Sequence, residues 1–306
     1  MKKMIKMLSI DDFKSITLDD KILFDKHYKK FPPIHSDNVF TTLISWKEYS
    51  KYKYAFIENN IIIMSAIKNQ IQFRPPSGEK RKDLFDEVLQ LAKKQDSEYP
   101  LGVIDIKIKN WLSNLYPKLE FNSKREYFDY VYLASDLAEL PGSSYSKIRN
   151  RVNKFKRNYA YEIENITEQN MSEIQEFLKR WCLWKDCESD PLLENEKKAI
   201  LYSMANFFNL RLSGIAVCID GAIEAIAVYE HMNQDTGVVH YEKGSPDFDG
   251  IYKIINQETA KILQKDFKYI NRESDMNIPG LRKAKMSYRP HHMIELFNVK
   301  KESILF

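Results

Sequence analysis

Three cysteines in 306 residues, Cys182, Cys187 and Cys218, are too few for a disulfide framework. Cys182 and Cys187 have a Cys-x4-Cys spacing but no second ligand pair nearby, so reduced thiols are expected rather than a zinc site. Nine glycines and eleven prolines are too few for a loop-rich or low-complexity chain. The longest apolar runs, 61–67 and 215–219, fall far short of the ~20 residues needed to cross a bilayer. Residues 1–6 lack a long apolar stretch, so no signal peptide is expected and a cytoplasmic location is. Walker, Rossmann and Gly-x-Ser-x-Gly signatures are missing, which argues against nucleotide hydrolysis, dinucleotide redox chemistry and an α/β-hydrolase. His231, His240 and the pair His291 and His292 have no metal-ligand spacing, so no metal is expected.

What is present fills real cores: 43% of residues are hydrophobic and 13% aromatic. The length suits two ordinary domains. A net charge of +4 decides nothing about partners, so its local distribution carries the argument. In the second half, 211–219 and 222–231 read as strands around the Asp220-Gly221 turn, and 238–242 as a third strand. A polar loop, 243–249, leads to a helix with Ile251, Ile254, Ile255, Ile262 and Leu263 on one face. A strand follows at 267–270. Pro279 suits a helix start, and 293–299 reads as a last strand. The first half repeats this order with strands at 54–57, 61–66 and 71–73, the loop 74–79, a helix at 82–94, a strand at 103–108, a short helix at 111–116 and a strand at 127–133. Each half opens with a helix, near 10–28 and 169–184.

Between the halves, 145–161 holds six cations, Lys147, Arg149, Arg151, Lys154, Lys156 and Arg157, and no acid. Ile148, Val152, Phe155 and Tyr159 share one helical face. Lys147, Arg151 and Lys154 line one flank, Arg149 and Lys156 the other. This helix is read either as a platform for a polyanion or as a solvated connector. A second concentration of charge spans Asn271, Arg272, Glu273 and Asp275 and continues through Arg282, Lys283, Lys285 and Tyr288. Strand ends facing a helix start are where α/β proteins place anionic ligands. The rival reading is an internal ion-pair network. Tyr241, Glu242 and Lys243 end the strand before the main helix, and Arg74-Pro75-Pro76 is the matching loop of the first half.

Three pieces of the chain resemble a known family. They are Leu140-Pro141-Gly142 with 145–157; Tyr241 to Gly244 with Gly250-Ile251-Tyr252 and Asn256; and Asn271-Arg272-Glu273 through Pro290. Together they resemble the C-terminal catalytic domain of bacterial phosphatidylglycerol lysyltransferases, and more closely its stand-alone branch. The resemblance implies an α/β (α+β) fold of two tandem GNAT-like (acyl-CoA N-acyltransferase) domains: 1–140, a basic connecting helix at 141–161, and 162–306 carrying the site. It implies transfer of an aminoacyl group from charged tRNA to a lipid head group. No counterpart of the family's N-terminal membrane portion is expected from this sequence, which leaves the acceptor open. The GNAT pyrophosphate pattern Gln/Arg-x-x-Gly-x-Gly/Ala is matched fully by neither 74–78 nor 243–250, so an acyl-CoA donor has no motif behind it.

The expectation is therefore an acyl- or aminoacyltransferase acting on an amine or hydroxyl acceptor. Its groove lies in the second half, roofed by the basic helix. Glu242 or Asp275 accepts the proton, Arg272 steadies an oxyanion or the donor phosphate, and Lys283 holds the donor. Arg74, Lys147, Arg149, Arg151, Tyr241, Lys243, Asn271, Glu273, Arg282, Lys285 and Tyr288 contact substrate or donor. No cofactor stays bound. Acyl-CoA or aminoacyl-tRNA is the donor, and a small molecule or lipid head group is the acceptor. The rivals are a non-catalytic module of the same fold that binds tRNA or an anionic metabolite, and a structural partner docking near Trp181 and Trp184.

Overall fold

The computed structural model describes residues 7–187 and 190–305. The chain divides into two compact units, residues 1–128 with 294–306, and residues 129–293.

The first unit opens differently from the expected continuous helix at 10–28. Ser9 and Thr17 each start a short turn whose third residue, Asp12 or Asp20, bonds back to the cap. Two such capping boxes in succession restart the chain, and the true helix α1 is only Lys21–Tyr28. A short strand, β1 (Lys14–Ser15), sits between the turns, and α2 (Phe40–Ser45) and α3 (Lys47–Ser50) follow α1. β2 (Lys53–Ile57), β3 (Asn60–Ile67) and β4 (Gln70–Phe73) form an antiparallel meander. α4 (Lys82–Lys93) carries Leu84, Phe85, Val88, Leu89 and Ala92 into the core and leads to β5 (Leu101–Ile104), which runs parallel to β4. β5 ends earlier than the 103–108 run suggests, because Asp105 accepts from the Lys107 and Ile108 N–H groups and starts α5 (Ile106–Leu115). β6 is Phe121–Ser123.

In the second unit come β7 (Asp129–Leu133), α6 (Ala134–Glu139), the basic helix α7 (Ser146–Asn158), β8 (Glu162–Asn165), α8 (Met171–Lys185) and α9 (Pro191–Ala205). The meander β9 (Ser213–Ile219), β10 (Ala222–Asn233) and β11 (Thr236–Gly244) follows. Asp220 and Gly221 both have positive φ, as a two-residue hairpin turn with the twist of its strands requires. Then come α10 (Ile251–Leu263), β12 (Tyr269–Asn271) parallel to β11, α11 (Pro279–Ser287) and β13 (His292–Ile294). β14 (Phe297–Val299) returns to the first unit.

Among the described residues each sheet has seven strands, in the orders β1-β2-β3-β4-β5-β14-β6 and β13-β7-β12-β11-β10-β9-β8. The fold is thus a tandem pair of GNAT-like α/β units. The units do not follow the blocks 1–140 and 162–306. Strand β7 enters the second sheet beside β12, and β14 enters the first between β5 and β6. Both segments are short and apolar, and nothing local in them specifies which sheet they complete.

Candidate functional site

α7 buries Ile148, Val152 and Phe155 at positions i, i+4 and i+7, so its cations are left on the remaining arc. They do not act alike. Arg149 donates to the carbonyls of Leu140 and Gly142 and closes the turn that starts the helix. Lys154 pairs with Asp249 at 2.9 Å, and Lys156 approaches Glu258 at 3.7 Å. The acids absent from the helix are supplied from around α10, which a reading of the helix alone cannot see. Lys147 and Arg151 instead face a cleft of about 750 Å³.

Three helices of the second unit build this cleft. α7 contributes Lys147, Ile148, Asn150 and Arg151; α10 contributes Lys253; α11 contributes Gly280, Lys283, Ala284 and Ser287. The α11 residues recur at three and four, the spacing of one helix face. Gly280 has open space where a side chain would stand. Among the described residues the lining holds four cations and no carboxylate. Lys253 is the lining cation that the sequence did not single out. Burial, then the positive charges of Arg272 and Arg151, pull its ammonium down to about 8. Its only sequence signal was a polar residue beside the apolar stripe of α10.

Beneath the cleft lies a second polar layer. Lys253 Nζ stands 4.4 Å from the centre of the Tyr288 ring, and the Arg272 guanidinium packs at 5.1 Å against the same ring. Arg272 forms an ion pair with Glu242, whose other oxygen accepts from Asn256 at 3.0 Å. Among the described residues, Arg272 Nη1, Tyr288 Oη and Asn256 Oδ1 are buried without hydrogen-bond partners. Such orphaned groups are uncommon, and a cluster of them marks a functional or water-filled site.

Other sequence-predicted residues are engaged in internal contacts. Asp275, expected as a proton acceptor, is fully buried and gripped by both Arg282 Nε and Nη2 at 2.8 Å. Burial raises its pKa, but the bonds from Arg282, Tyr130 and the Asn277 N–H outweigh that and hold the carboxyl well below its usual range. A carboxyl so enclosed and so firmly paired is poorly placed to take a substrate proton, and the same pairing engages Arg282. Lys285, also buried, donates to the carbonyls of Arg272, Glu273 and Ser274, tying the bend together. Burial and the Arg272 charge lower its pKa to about 8. Asn271 bridges Asp129 and the Glu273 N–H. Glu273 meets His240 at 2.8 Å, and His240 meets Glu230 at the same distance. Burial opposes the imidazolium, but hydrogen bonds to Glu230 and Glu273 raise its pKa to about 10. Tyr241 bonds to Ser203, and Lys243 pairs with Glu196 and stacks on Trp181. Trp181 is buried and donates to Tyr252, whereas Trp184 is partly exposed. Arg74 belongs to the first unit. Of the expected contacts, Lys147, Arg151 and Lys283 line the cleft, with Arg272, Glu242 and Tyr288 in the layer below.

Among the described residues no helix is long and apolar enough to cross a membrane. The chain is 31% identical to a conserved protein of unknown function from Bacteroides thetaiotaomicron VPI-5482, whose crystal structure matches with a TM-score of 0.88 over 94% of this chain and 98% of that one. The C-terminal domain of a proposed lysylphosphatidylglycerol synthetase from Agrobacterium fabrum shares the fold at 12% identity, with a TM-score of 0.64 over 94% and 95% of the two chains. An uncharacterized protein of Mycoplasmoides gallisepticum is 22% identical over 185 residues, 56% of each chain, so the match spans little more than half of that curated relative. The profile of the phosphatidylglycerol lysyltransferase C-terminal family matches residues 28–300, and the chain belongs to that family.

Proposed function

We propose that the chain is an aminoacyltransferase that takes its donor from the acceptor end of a charged transfer RNA and holds it in the basic cleft of the second unit. The observation that carries this reading is the cleft lining of Lys147, Arg151, Lys253 and Lys283 with no carboxylate among them. Like charges brought together without counter-ions raise the folding free energy, and a phosphate backbone relieves that cost. The family name adds lysyl transfer to a phosphatidylglycerol acceptor as the first chemistry to test.

In this reading Lys147, Arg151 and Lys283 bind phosphates. Lys253, with its pKa near 8, is neutral in part of the population at physiological pH and takes the acceptor's proton. The acceptor oxygen or nitrogen attacks the ester carbonyl. The carbon–oxygen bond to the ribose breaks, and the proton passes to the departing ribose oxygen. Glu242 fixes Arg272 behind the floor, where its positive potential favours the oxyanion.

A specific observation weighs against acyl-CoA as donor. Helix N-termini after a strand bind pyrophosphate readily. Here the start of α10 is covered: a side-chain carbon on Gly250 would lie 3.4 Å from the Arg151 carbonyl and 3.5 Å from Phe155, and Lys154 and Asp249 pair across the same junction. A non-catalytic module of the same fold would bind RNA without turnover. The test is competition. A labelled charged tRNA pool is bound to the full chain and challenged with excess coenzyme A or deacylated tRNA. Displacement by tRNA alone supports the proposal, and displacement by coenzyme A alone overturns it.

A further inference from the structure

A second cavity, of about 220 Å³, lies within the first unit. The chain leaves β4 at Arg74-Pro75-Pro76 and leaves the parallel β5 at Asp105, and the cavity opens at these two carboxyl ends. That is where parallel strands in α/β folds present backbone and side chains to ligands. Its walls are mostly apolar, with Phe31, Ile34, Ile61, Ile63 and Ile108 among them. The lining carries one cation and one carboxylate, Arg74 and Asp105.

Both charged groups are incompletely used. Arg74 is 5% exposed. It donates to the Asp37 carbonyl, to Asn38 Oδ1 and to Tyr52 Oη. Its guanidinium also stacks on the Tyr52 ring at 5.0 Å. A guanidinium has five N–H donors, so these three bonds leave two, and among the described residues Nε–H has no hydrogen-bond partner. Among the described residues no carboxylate pairs with Arg74, although buried arginines are ordinarily paired. Asp105 uses only Oδ1, for the N–H groups of Lys107 and Ile108. Val103, also in the lining, holds a φ of +55°, a left-handed conformation that a β-branched residue rarely adopts. Strain of this kind gathers at ligand sites.

We propose that this cavity binds a free α-amino acid with an apolar side chain: the carboxylate meets Arg74, the ammonium meets Asp105 Oδ2, and the side chain lies against the isoleucine and proline walls. The inference is independent of the transferase reading, since it concerns a different unit and a different ligand. It is tested by calorimetric titration of the full chain with L-leucine, L-phenylalanine, 3-phenylpropionate and phenethylamine. Saturable binding of the amino acids is expected. Loss of either charged group of the ligand should weaken binding by about tenfold or more. Asp105→Asn keeps a strong helix cap while removing the charge. It should weaken L-phenylalanine by a similar factor and leave 3-phenylpropionate unchanged. Absence of amino-acid binding at millimolar concentration, 3-phenylpropionate binding as tightly as L-phenylalanine, or unchanged L-phenylalanine affinity in Asp105→Asn would each overturn the proposal.

Discussion

A lysine on a helix otherwise chosen for its apolar face, Lys253, is the residue on which the proposed chemistry turns. Burial and two neighbouring cations hold its pKa near 8, so its neutral form grows as pH rises through that value. Transfer rate at saturating donor should rise through the same window. Lys253→Met should lower kcat by roughly 10²–10⁴-fold with little change in donor affinity, as expected for loss of a proton-transfer group. Single-turnover kinetics across pH 6.5–9.5 would test this, and a pH-independent rate in the native protein would remove Lys253 from the mechanism. His240 works in the opposite sense. Its pKa is raised from 6.5 to about 10, so the stability it contributes is complete below about 6.5 and is lost as pH climbs through about 10. The expected amount is on the order of a few kcal/mol. Urea denaturation at pH 6 and pH 10 should show the native protein losing stability over that interval, and His240→Gln losing less.

At the scale of elements, α7 divides its cations between ion pairs and the cleft. Lys147 faces the cleft, whereas Lys154 is committed to Asp249. Lys147→Ala and Lys283→Ala should each reduce the slope of log affinity for RNA against log salt by about one, and Lys154→Ala should leave it unchanged. The helix itself was legible in the sequence because Ile148, Val152 and Phe155 recur at helical spacing. Which of its cations remained available was not, since Asp249 and Glu258 come from other elements. The charged bend was legible as a concentration of polar groups. Its use was not, because the outcome depends on Tyr130 and Asp129 meeting Asp275 and Asn271, far away in the chain. The expected helix at 10–28 failed for a local reason: two capping boxes outweighed its periodicity.

For the whole molecule, the two sheets are completed by strands from the opposite part of the chain. Element order predicted both meanders and their following helices, since hydrophobic periodicity and turn residues are local signals. It could not predict that β7 pairs with β12 while β14 pairs with β5 and β6. Strand partnership is a long-range choice that short apolar segments do not encode. Phe297, 6% exposed near the end of the chain, is therefore part of the first core. Phe297→Ala should destabilise the first unit by about 3–5 kcal/mol, which urea denaturation followed by hydrogen exchange would localise.

The central claim is that the basic cleft receives an aminoacylated RNA and that the chain transfers its aminoacyl group. The most direct measurement is release of label from lysyl-tRNA, and from a mixed charged tRNA pool, by the full chain supplied with phosphatidylglycerol vesicles or soluble amine acceptors. The prediction is turnover that Lys283→Glu and Lys253→Met each strongly reduce, with labelled product on one acceptor class. RNA binding without any transfer to either acceptor class, or transfer unaffected by both substitutions, would contradict it.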